Sequence, residues 1–248
     1  MVYVLEGRGI SKRFGGVQAL YKVDFFLRKG EILAVVGDNG AGKSTLIKIF
    51  AGDISKDEGE IFIDGVKVEI ENHVHAKSLG IEVVYQDLSL IDHLNVFQNL
   101  FLGRELQKDF KILKVLDKKT MGKQAKEKLA LLGINLKNPM EWVTRLSGGE
   151  KQSIAVARAA SWGKKIIILD EPTAAFGVEE SGRVLQIIKE LKTNGISVII
   201  ITHNMEHAFS IADRFCVLRL GRVVGNVNKS ETNIDEVVKM ITGGTFVN

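Results

Sequence analysis

An eight-residue segment, Gly37–Ser44, has the composition and spacing of a loop that binds phosphate. It reads Gly-Asp-Asn-Gly-Ala-Gly-Lys-Ser and fits the pattern G-x-x-x-x-G-K-[ST]. Glycines let the backbone turn tightly, so that successive N–H groups point inward, and the positive end of the following helix adds to them. Lys43 is expected to reach the β and γ phosphates of a triphosphate, and Ser44 to bind Mg²⁺ through its hydroxyl. The residues that we expect to contact the phosphates are Gly37, Asn39, Gly40, Ala41, Gly42, Lys43, Ser44 and Thr45.

A pair of carboxylates follows a second apolar segment. Four aliphatic residues, Ile166–Leu169, lead directly into Asp170 and Glu171, which predicts a buried parallel strand that ends where ligands bind in such folds. Asp170 can supply a hard oxygen ligand to Mg²⁺ that is already held by phosphates and Ser44. Glu171 points elsewhere and is placed to polarise an attacking water as a general base. The alternative is an acidic pair that simply faces solvent.

A second candidate anion site precedes the predicted helix Lys151–Ser161. The segment Leu146–Glu150 reads Leu-Ser-Gly-Gly-Glu, and Ser147 and Glu150 have the spacing of a capping box. Two glycines in the first turn expose backbone amides at a positive helix end. If this end serves the same triphosphate, it must fold over the phosphate loop or come from another copy of the chain. The residues alone leave both arrangements open.

The predicted secondary structure around these residues differs from one part of the chain to the next. The first third is rich in strands, for example Glu31–Val36 and Glu60–Asp64, which Gly and Asp bound. From about residue 94 to 162 the sequence has fewer β-branched residues and indicates helices broken at Gly103, Gly133 and Pro139.

The last third alternates strand with helix. A helical face of aliphatic residues between 184 and 191 precedes a second buried strand, Ser197–Ile201, and a hairpin around Gly221. Thr232 and Asp235 have the spacing of a capping box before a terminal helix that ends at Gly243. The alternation predicts an α/β fold, with a mostly parallel sheet and a helical insertion.

Composition limits the class of protein. The chain has 248 residues, of which 45% are hydrophobic and 26% charged, which is typical of an ordered globular protein. A single cysteine, Cys216, excludes an internal disulfide framework and is expected to be a small buried hydrophobe. The longest aliphatic runs are far shorter than the roughly 18–20 residues that span a bilayer, and the N-terminus shows no secretory signal pattern.

The net charge of +4 is a weak excess, and it is not the concentrated positive charge that is typical of a protein that binds nucleic acid. We interpret the lysines clustered between Lys108 and Lys128 as the solvated face of a helical region.

The motifs, in this order, resemble those of ATP-binding cassette (ABC) ATPases, and the match covers nearly the whole chain. The resemblance implies one ABC ATPase domain over residues 1–248. Its P-loop NTPase (RecA-like) core would comprise about 1–86 and 163–248, with an antiparallel β portion near the N-terminus. An inserted α-helical subdomain would cover about 87–162.

The resemblance also implies roles for particular residues. Two cassettes would pair head to tail, so that Ser147, Gly148 and Gly149 of one contact the γ-phosphate held by the other. Phe14 would stack on adenine, although a core position is the alternative. Gln86 would sense Mg²⁺ and the attacking water and signal to the partner, whereas a strand-end amide can also merely cap a loop. His203 would contact the γ-phosphate, whereas an isolated strand-end histidine is often structural.

Three segments resemble the ATPase components of carbohydrate importers of the ribose and fructose type. They are Tyr85–Glu105 (YQDLSLIDHLNVFQNLFLGRE), Asp170–Val178 (DEPTAAFGV) and His203–Glu206 (HNME). The resemblance implies ATP and Mg²⁺ as cofactors, a second copy or sister cassette, membrane permease subunits and, indirectly, a sugar-binding protein. It also implies a peripheral location on the cytoplasmic face of the cell membrane and no nucleic-acid partner. A soluble cassette protein acting on nucleic acid and a small-molecule kinase are the alternatives.

Several features leave more than one interpretation open. Apolar residues crowd the stretch 88–100 after Gln86, and they either form an exposed groove for a partner helix or pack inside the insertion. Glu150 and Gly177 stand where the family usually has Gln and Asp. Glu150 is expected to cost little, and Gly177 is expected either to weaken coupling between two sites or to leave that coupling to backbone contacts. His203–His207 fits the zinc pattern H-x-x-E-H, but His203 directly follows a predicted strand and is not expected to be helical.

Overall fold

A computed structural model of the chain describes residues 3–110, 113–134, 138–162, 165–174 and 177–244. The strands are β1 (Tyr3–Phe14), β2 (Val17–Arg28), β3 (Ile32–Val36), β4 (Glu58–Ile63), β5 (Val66–Val68), β6 (Ile81–Val84), β7 (Gln107–Phe110), β8 (Leu113–Leu116), β9 (Ile166–Asp170), β10 (Ser197–Ile201), β11 (Arg214–Arg219) and β12 (Arg222–Asn228). The α-helices are α1 (Lys43–Ala51), α2 (His73–Ser78), α3 (Val96–Leu100), α4 (Lys118–Ala130), α5 (Gly148–Trp162), α6 (Val178–Thr193), α7 (Met205–Ile211) and α8 (Ile234–Thr242).

The central sheet positions the candidate site. Within the described residues it has six strands in the order β12-β11-β3-β10-β9-β6. Strand β12 pairs antiparallel with β11, and every other neighbouring pair is parallel. Strands β3 and β10 are buried along their whole length, and so are the four aliphatic residues of β9, because helices cover both faces of a parallel sheet. The predicted strands and their mostly parallel arrangement are therefore confirmed.

A second sheet confirms the antiparallel β portion near the N-terminus. In the described part of the chain it has four strands in the order β2-β1-β4-β5. Helix α1 packs between the two sheets through buried Leu46, Ile47 and Phe50. The rings of Phe25 and Phe50 lie 5.1 Å apart, which joins β2 to the helix that follows the phosphate loop.

The predicted helical insertion contains helices α3, α4 and α5, but it also contains an antiparallel hairpin formed by β7 and β8. The prediction of helices is therefore wrong for this hairpin, and Lys108 and Lys114 lie on strands rather than on a helix. Each strand has only four residues, which is too short for its alternation to be distinguished from one turn of helix. Gly103 and Gly133 have φ values of +71° and +68° at the predicted breaks. Residue 163, the predicted boundary with the core, lies outside the described residues.

The capping box predicted at Thr232 and Asp235 is also wrong. Helix α8 begins one residue later, and the Asn233 side chain accepts a hydrogen bond from Glu236 N at 3.0 Å. Asn is as good an N-cap as Thr, so spacing alone did not choose between them. The hairpin at Gly221 and the helix end at Gly243 are confirmed. Among the described residues, no helix combines the length and the apolar character that crossing a membrane requires.

Candidate active site

The phosphate loop joins β3 to α1 at the carboxyl edge of the central sheet. Gly37 has φ +154° and Gly42 has φ +103°, and neither position has room for a side chain. A Cβ atom at Gly37 would lie 2.2 Å from the carbonyl oxygen of Leu218, and one at Gly42 would lie 2.7 Å from that of Ala19. The glycines of the pattern therefore let the loop pass against β2 and β11.

Lys43 is the buried cation of this loop. Its Nζ donates hydrogen bonds to the carbonyl oxygens of Gly37 at 2.7 Å and Asp38 at 2.9 Å. Burial lowers the pKa of Lys43, while the charges of Glu171 and Asp170 act in the opposite direction. The ammonium group is thus held against the loop, next to the strand-end carboxylates.

An open cleft of about 440 Å³ brings together residues from four places in the sequence. The residues that line it are Gly37, Asp38, Asn39, Gln86, Glu171, Ala174 and His203. Five of the predicted site residues, namely Gly37, Asn39, Gln86, Glu171 and His203, therefore share this cleft, whereas Lys43, Ser44 and Thr45 form the first turn of α1. The carboxyl ends of β3, β6, β9 and β10 meet here, as ligand sites of open parallel sheets do.

The two carboxylates after β9 have different surroundings. Asp170 is the last residue of the strand, and burial, followed by the charge of Glu171, raises its pKa, whereas Lys43 opposes the rise. Glu171 has φ +51° and donates its backbone N–H to Ile201 O at 2.8 Å. This left-handed residue ends the strand. Its side chain, 16% exposed, places Oε1 2.9 Å from Nδ1 of His203.

His203 and His207 do not form a zinc site. His203 precedes helix α7 and contacts Glu171, whereas Nδ1 of His207 lies 2.9 Å from the Thr173 hydroxyl. In the part of the chain that the structure describes, no group of three or more His, Cys, Asp or Glu residues is arranged to hold a metal ion. The expectation that His203 is not helical is confirmed.

Phe14 ends β1, and its side chain is 49% exposed, so the alternative of a core phenylalanine is wrong. Asp57 fixes the backbone next to it. Its carboxylate accepts hydrogen bonds from Lys12 Nζ and from the backbone N–H of Arg13, each at 2.7 Å. The contact of Asp57 with β1 could not be predicted from the sequence, because no local pattern links Asp57 to Arg13, 44 residues earlier.

The second candidate anion site has the predicted cap. Ser147 N donates to the Glu150 carboxylate at 2.8 Å, and Glu150 N donates to the Ser147 hydroxyl at 3.3 Å, so Glu150 serves well in place of Gln. Ser147 and Gly148 are exposed, whereas Gly149 is buried. These three residues do not line the cleft at the phosphate loop. Within one chain, therefore, the fold does not place this helix end among the residues of that cleft.

The apolar stretch after Gln86 mostly packs inside the protein. Val96, Phe97 and Leu100 are buried, and Ile91 is 42% exposed. The interpretation as internal packing therefore holds for these three buried residues. A separate cleft of about 200 Å³, here called the side cleft, lies beside this stretch. Its lining comprises His73, Lys77, Glu82, Val83, Val84, Tyr85, Ser89, Leu102, Arg104, Ala155, Arg158, Ala159 and Trp162.

Adjacent residues connect the two clefts. Tyr85 lines the side cleft and Gln86 lines the cleft at the phosphate loop. The Tyr85 hydroxyl donates a hydrogen bond to Asp53, which follows α1. Burial, and then the bond to Asp53, raise the pKa of Tyr85. A displacement at the side cleft therefore has a short covalent route to Gln86.

Comparison with known proteins places this geometry in a family. Residues 20–174 match the model of the family described as ABC transporter. The chain is 46% identical over 244 residues to the fructose import ATP-binding protein FrcA of Rhizobium meliloti, covering 97% of this chain and 94% of that protein. It is 44% identical to the xylose/arabinose import ATP-binding protein XylG of Sulfolobus acidocaldarius, covering 96% of this chain and 94% of that protein. It also spans about half, 47%, of the ribose import ATP-binding protein RbsA of Clostridium tetani, at 42% identity over 96% of this chain.

Solved structures agree on the fold. The ADP conformation of MJ1267, an ATP-binding cassette of an ABC transporter, superposes with a TM-score of 0.83 at 23% identity, covering 98% of this chain and 96% of that chain. A dimeric post-hydrolysis state of the ATP-binding cassette MJ0796, bound to ADP and Pi, superposes with a TM-score of 0.75 at 25% identity, covering 91% of this chain and 98% of that chain. The family match over residues 20–174 and the relatives at 42–46% identity show that the chain belongs to the ATP-binding cassette family of ABC transporters.

Proposed function

We propose that this chain binds ATP with Mg²⁺ at the phosphate loop and hydrolyses it to drive the import of a sugar through a membrane permease. One observation carries the enzymatic part of the proposal. The cleft at the phosphate loop brings the loop residues, Gln86, Glu171 and His203 together beside Lys43. A triphosphate needs this convergence of amides and one cation, and its hydrolysis needs a carboxylate near the terminal phosphate.

The residues of the loop would bind and orient the nucleotide. The backbone amides of residues 37–45 and the N-terminus of α1 would hold the phosphates, and the Lys43 ammonium would exchange its carbonyl partners for phosphate oxygens. Phe14, held at the end of β1 by Asp57, would provide a ring on which adenine stacks. Because any base has an apolar face, stacking alone does not select adenine.

The donors next to the loop fit a divalent cation. The Ser44 hydroxyl, the Asp170 carboxylate and the Gln86 amide are the oxygen ligands that Mg²⁺ prefers. When bound, Mg²⁺ would neutralise charge on the phosphates. A cation at this place would also favour the ionised form of Asp170, whose pKa burial raises.

Glu171 and His203 would carry out the hydrolytic step. The Glu171 carboxylate would accept a hydrogen bond from the attacking water and orient it toward the γ-phosphate. His203 lies 2.9 Å from Glu171 Oε1, so it would keep this carboxylate in place and reach the γ-phosphate from the side of β10. The left-handed backbone at Glu171 would keep its side chain separate from Asp170, so that the two carboxylates have different roles.

A second copy, or a sister cassette, would complete the site. Ser147 and Gly148 are exposed at the start of α5, yet they lie outside the cleft at the phosphate loop. Head-to-tail pairing would bring the amides of Ser147, Gly148 and Gly149 to the γ-phosphate of the other subunit. The cassette MJ0796 is dimeric in a post-hydrolysis state bound to ADP and Pi, which supports the pairing of two cassettes. Gly177, at the start of α6, provides no side chain for the contact between the subunits.

The relatives support import of a sugar rather than an action on nucleic acid. Those compared above are import ATP-binding proteins for fructose, xylose or arabinose, and ribose. We therefore place this chain at the cytoplasmic face of the membrane, as one ATPase domain over residues 1–248 with a helical subdomain at about 87–162. The side cleft would receive a segment of the permease, and a sugar-binding protein would act indirectly.

Replacing Lys43, the buried cation of the phosphate loop, tests nucleotide binding. Lys43→Ala should retain much less radiolabelled ATP in a filter-binding assay, because the triphosphate loses its closest positive charge. Lys48→Ala is the matched control, because Lys48 lies on the same helix and is exposed. Undiminished ATP retention by Lys43→Ala would contradict the proposal.

The test of transport first isolates the permease by its expected co-purification with the chain. Vesicles reconstituted with this permease, the chain and a sugar-binding protein should accumulate ribose, fructose or xylose only with ATP. Import of none of the three sugars, by vesicles that still hydrolyse ATP, would refute the sugar assignment and leave the ATPase assignment intact.

A further inference from the structure

The positive charge of this protein is concentrated in one short segment. Residues 108–128 contain eight lysines and three acidic residues, a net charge of +5, whereas the whole chain carries +4. The remaining residues together therefore carry a net charge of −1. The proposed site explains none of these lysines.

Helix α4 presents much of this charge to solvent. Lys119, Lys123 and Lys126 are exposed and spaced i, i+4, i+7, which places them on one stripe of the helix. Lys123 has a carboxylate neighbour, Glu127, at 3.9 Å, and both side chains are more than half exposed, so this pair neutralises little. The stripe keeps its charge available for an anionic partner.

The hairpin before α4 adds to the same region. Leu106 O accepts a hydrogen bond from Asp117 N at 2.8 Å, which fixes the base of the hairpin against the start of the helix. Asp117 is the N-cap of α4 and accepts hydrogen bonds from the backbone N–H and the hydroxyl of Thr120. These bonds, followed by the charges of Lys108 and Lys119, lower the pKa of Asp117. Lys108 and Lys119 therefore both lie near the Asp117 carboxylate, which already caps α4. The basic face is defined here as Lys108, Lys118, Lys119, Lys123 and Lys126, all of them exposed.

The position of α4 connects this charge with the side cleft. Near the end of α4, Lys128 Nζ lies 4.9 Å from the centre of a Trp162 ring, and Arg104 lies 4.8 Å from that ring. Trp162 and Arg104 both line the side cleft. Exposed leucines flank the helix, with Leu116 42% and Leu131 75% exposed. Lysines that lie close to a membrane are attracted to its anionic headgroups.

We propose that the basic face rests on the anionic phospholipid headgroups of the membrane that holds the permease. The membrane context comes from the proposed function, but the contact itself requires neither ATP nor the permease. A lipid surface fits better than a single-stranded nucleic acid, because α4, which carries four of the five lysines of the basic face, has no aromatic side chain on which bases could stack. A cytoplasmic leaflet attracts lysines near its surface, at about a fivefold gain in affinity for each.

Vesicle sedimentation tests the proposal with the full chain alone. The chain should sediment with phosphatidylcholine vesicles that contain about one-third phosphatidylglycerol, an anionic lipid, and not with pure phosphatidylcholine. Raising the salt from about 0.1 M to 1 M shortens the screening length from about 10 Å to 3 Å and should release it. The triple variant Lys119→Gln, Lys123→Gln, Lys126→Gln should bind about a hundredfold more weakly. Glutamine is a good helix former, so α4 should persist.

Two further triple variants are controls that distinguish the effect of the basic face from the effect of the protein's net charge. Lys29→Gln, Lys189→Gln, Lys239→Gln removes the same charge from exposed positions elsewhere and should bind like the wild type. Lys119→Arg, Lys123→Arg, Lys126→Arg keeps the charge of the basic face and should also bind like the wild type.

Three results would overturn the proposal: equal losses in the two glutamine variants, equal binding to both vesicle types, or tighter binding to polyuridylate than to anionic vesicles at the same salt. None of these results would alter the ATP assignment, because all three variants should keep the wild-type basal ATP turnover.

Discussion

Replacing Glu171 by Gln tests the central chemical claim with the least disturbance of the fold. The amide has the size of the carboxylate and can still hydrogen-bond His203, whose Nδ1 lies 2.9 Å from Oε1 in the wild type. The amide cannot accept a proton from water. The change therefore removes the base and keeps the packing of a side chain that is 16% exposed.

The expected size of the effect follows from this geometry. A positioned general base contributes about a hundred- to ten-thousand-fold to the rate, which corresponds to about 3–5 kcal/mol of activation free energy. Binding should not suffer, because the charge of Glu171 helps to raise the pKa of Asp170. Removing that charge favours the ionised form of Asp170, so affinity for ATP with Mg²⁺ should stay equal or increase.

The assay is phosphate release at saturating ATP and Mg²⁺, with and without the co-purified permease, alongside a direct measurement of nucleotide binding. Glu206→Gln is the matched control, since this exposed glutamate lies three residues after His203 and outside the cleft. Its turnover should equal that of the wild type. Wild-type turnover by Glu171→Gln would show that Glu171 is not the base. Loss of ATP binding by the same variant would show that Glu171 acts on the nucleotide itself.

Three further predictions concern other parts of the molecule. Asp57→Ala should raise the KM for ATP and leave kcat unchanged, because the Arg13 backbone N–H and Lys12 Nζ, both next to Phe14, lose the carboxylate to which they donate; steady-state kinetics measure this. Arg214→Met should lower the free energy of unfolding by about 3–5 kcal/mol in urea denaturation, because the buried Glu31 carboxylate loses Arg214 at 2.7 Å and keeps the more distant Arg28 at 3.8 Å. Cys216 should resist alkylation at pH 8 until the protein unfolds, because burial raises the pKa of its thiol to about 12.

Each of these predictions has its own control. Glu58→Ala changes the exposed residue next to Asp57 and should leave KM unchanged; a fall in kcat for Asp57→Ala would point to a different role. Lys67→Met breaks an exposed ion pair with Glu60 and should barely shift the denaturation midpoint, whereas an equal shift would deny that burial matters at Arg214. Rapid labelling of the folded protein would contradict the burial of Cys216.

Those parts of the site that are contiguous along the chain could be predicted from local sequence patterns. The spacing of Gly37–Ser44 specifies a strand, a tight turn and a helix start within eight residues, and backbone sterics leave little choice for such a loop. The aliphatic residues of β9 specify a strand buried on both faces and put Asp170 at its end. The capping box at Ser147 was equally predictable, because its two hydrogen bonds span only three residues.

The contacts between side chains that are distant in sequence became clear from the tertiary structure. Glu171 pairs with His203, which lies 32 residues later, because β9 and β10 are neighbours in the sheet. Asp57 reaches the backbone beside Phe14 because β4 pairs with β1. The hairpin of β7 and β8 escaped prediction because pairing between strands, rather than the preference of four residues, stabilises each short strand. Local patterns report dihedral angles and periodicity along the chain, whereas contacts between distant residues depend on how whole elements pack.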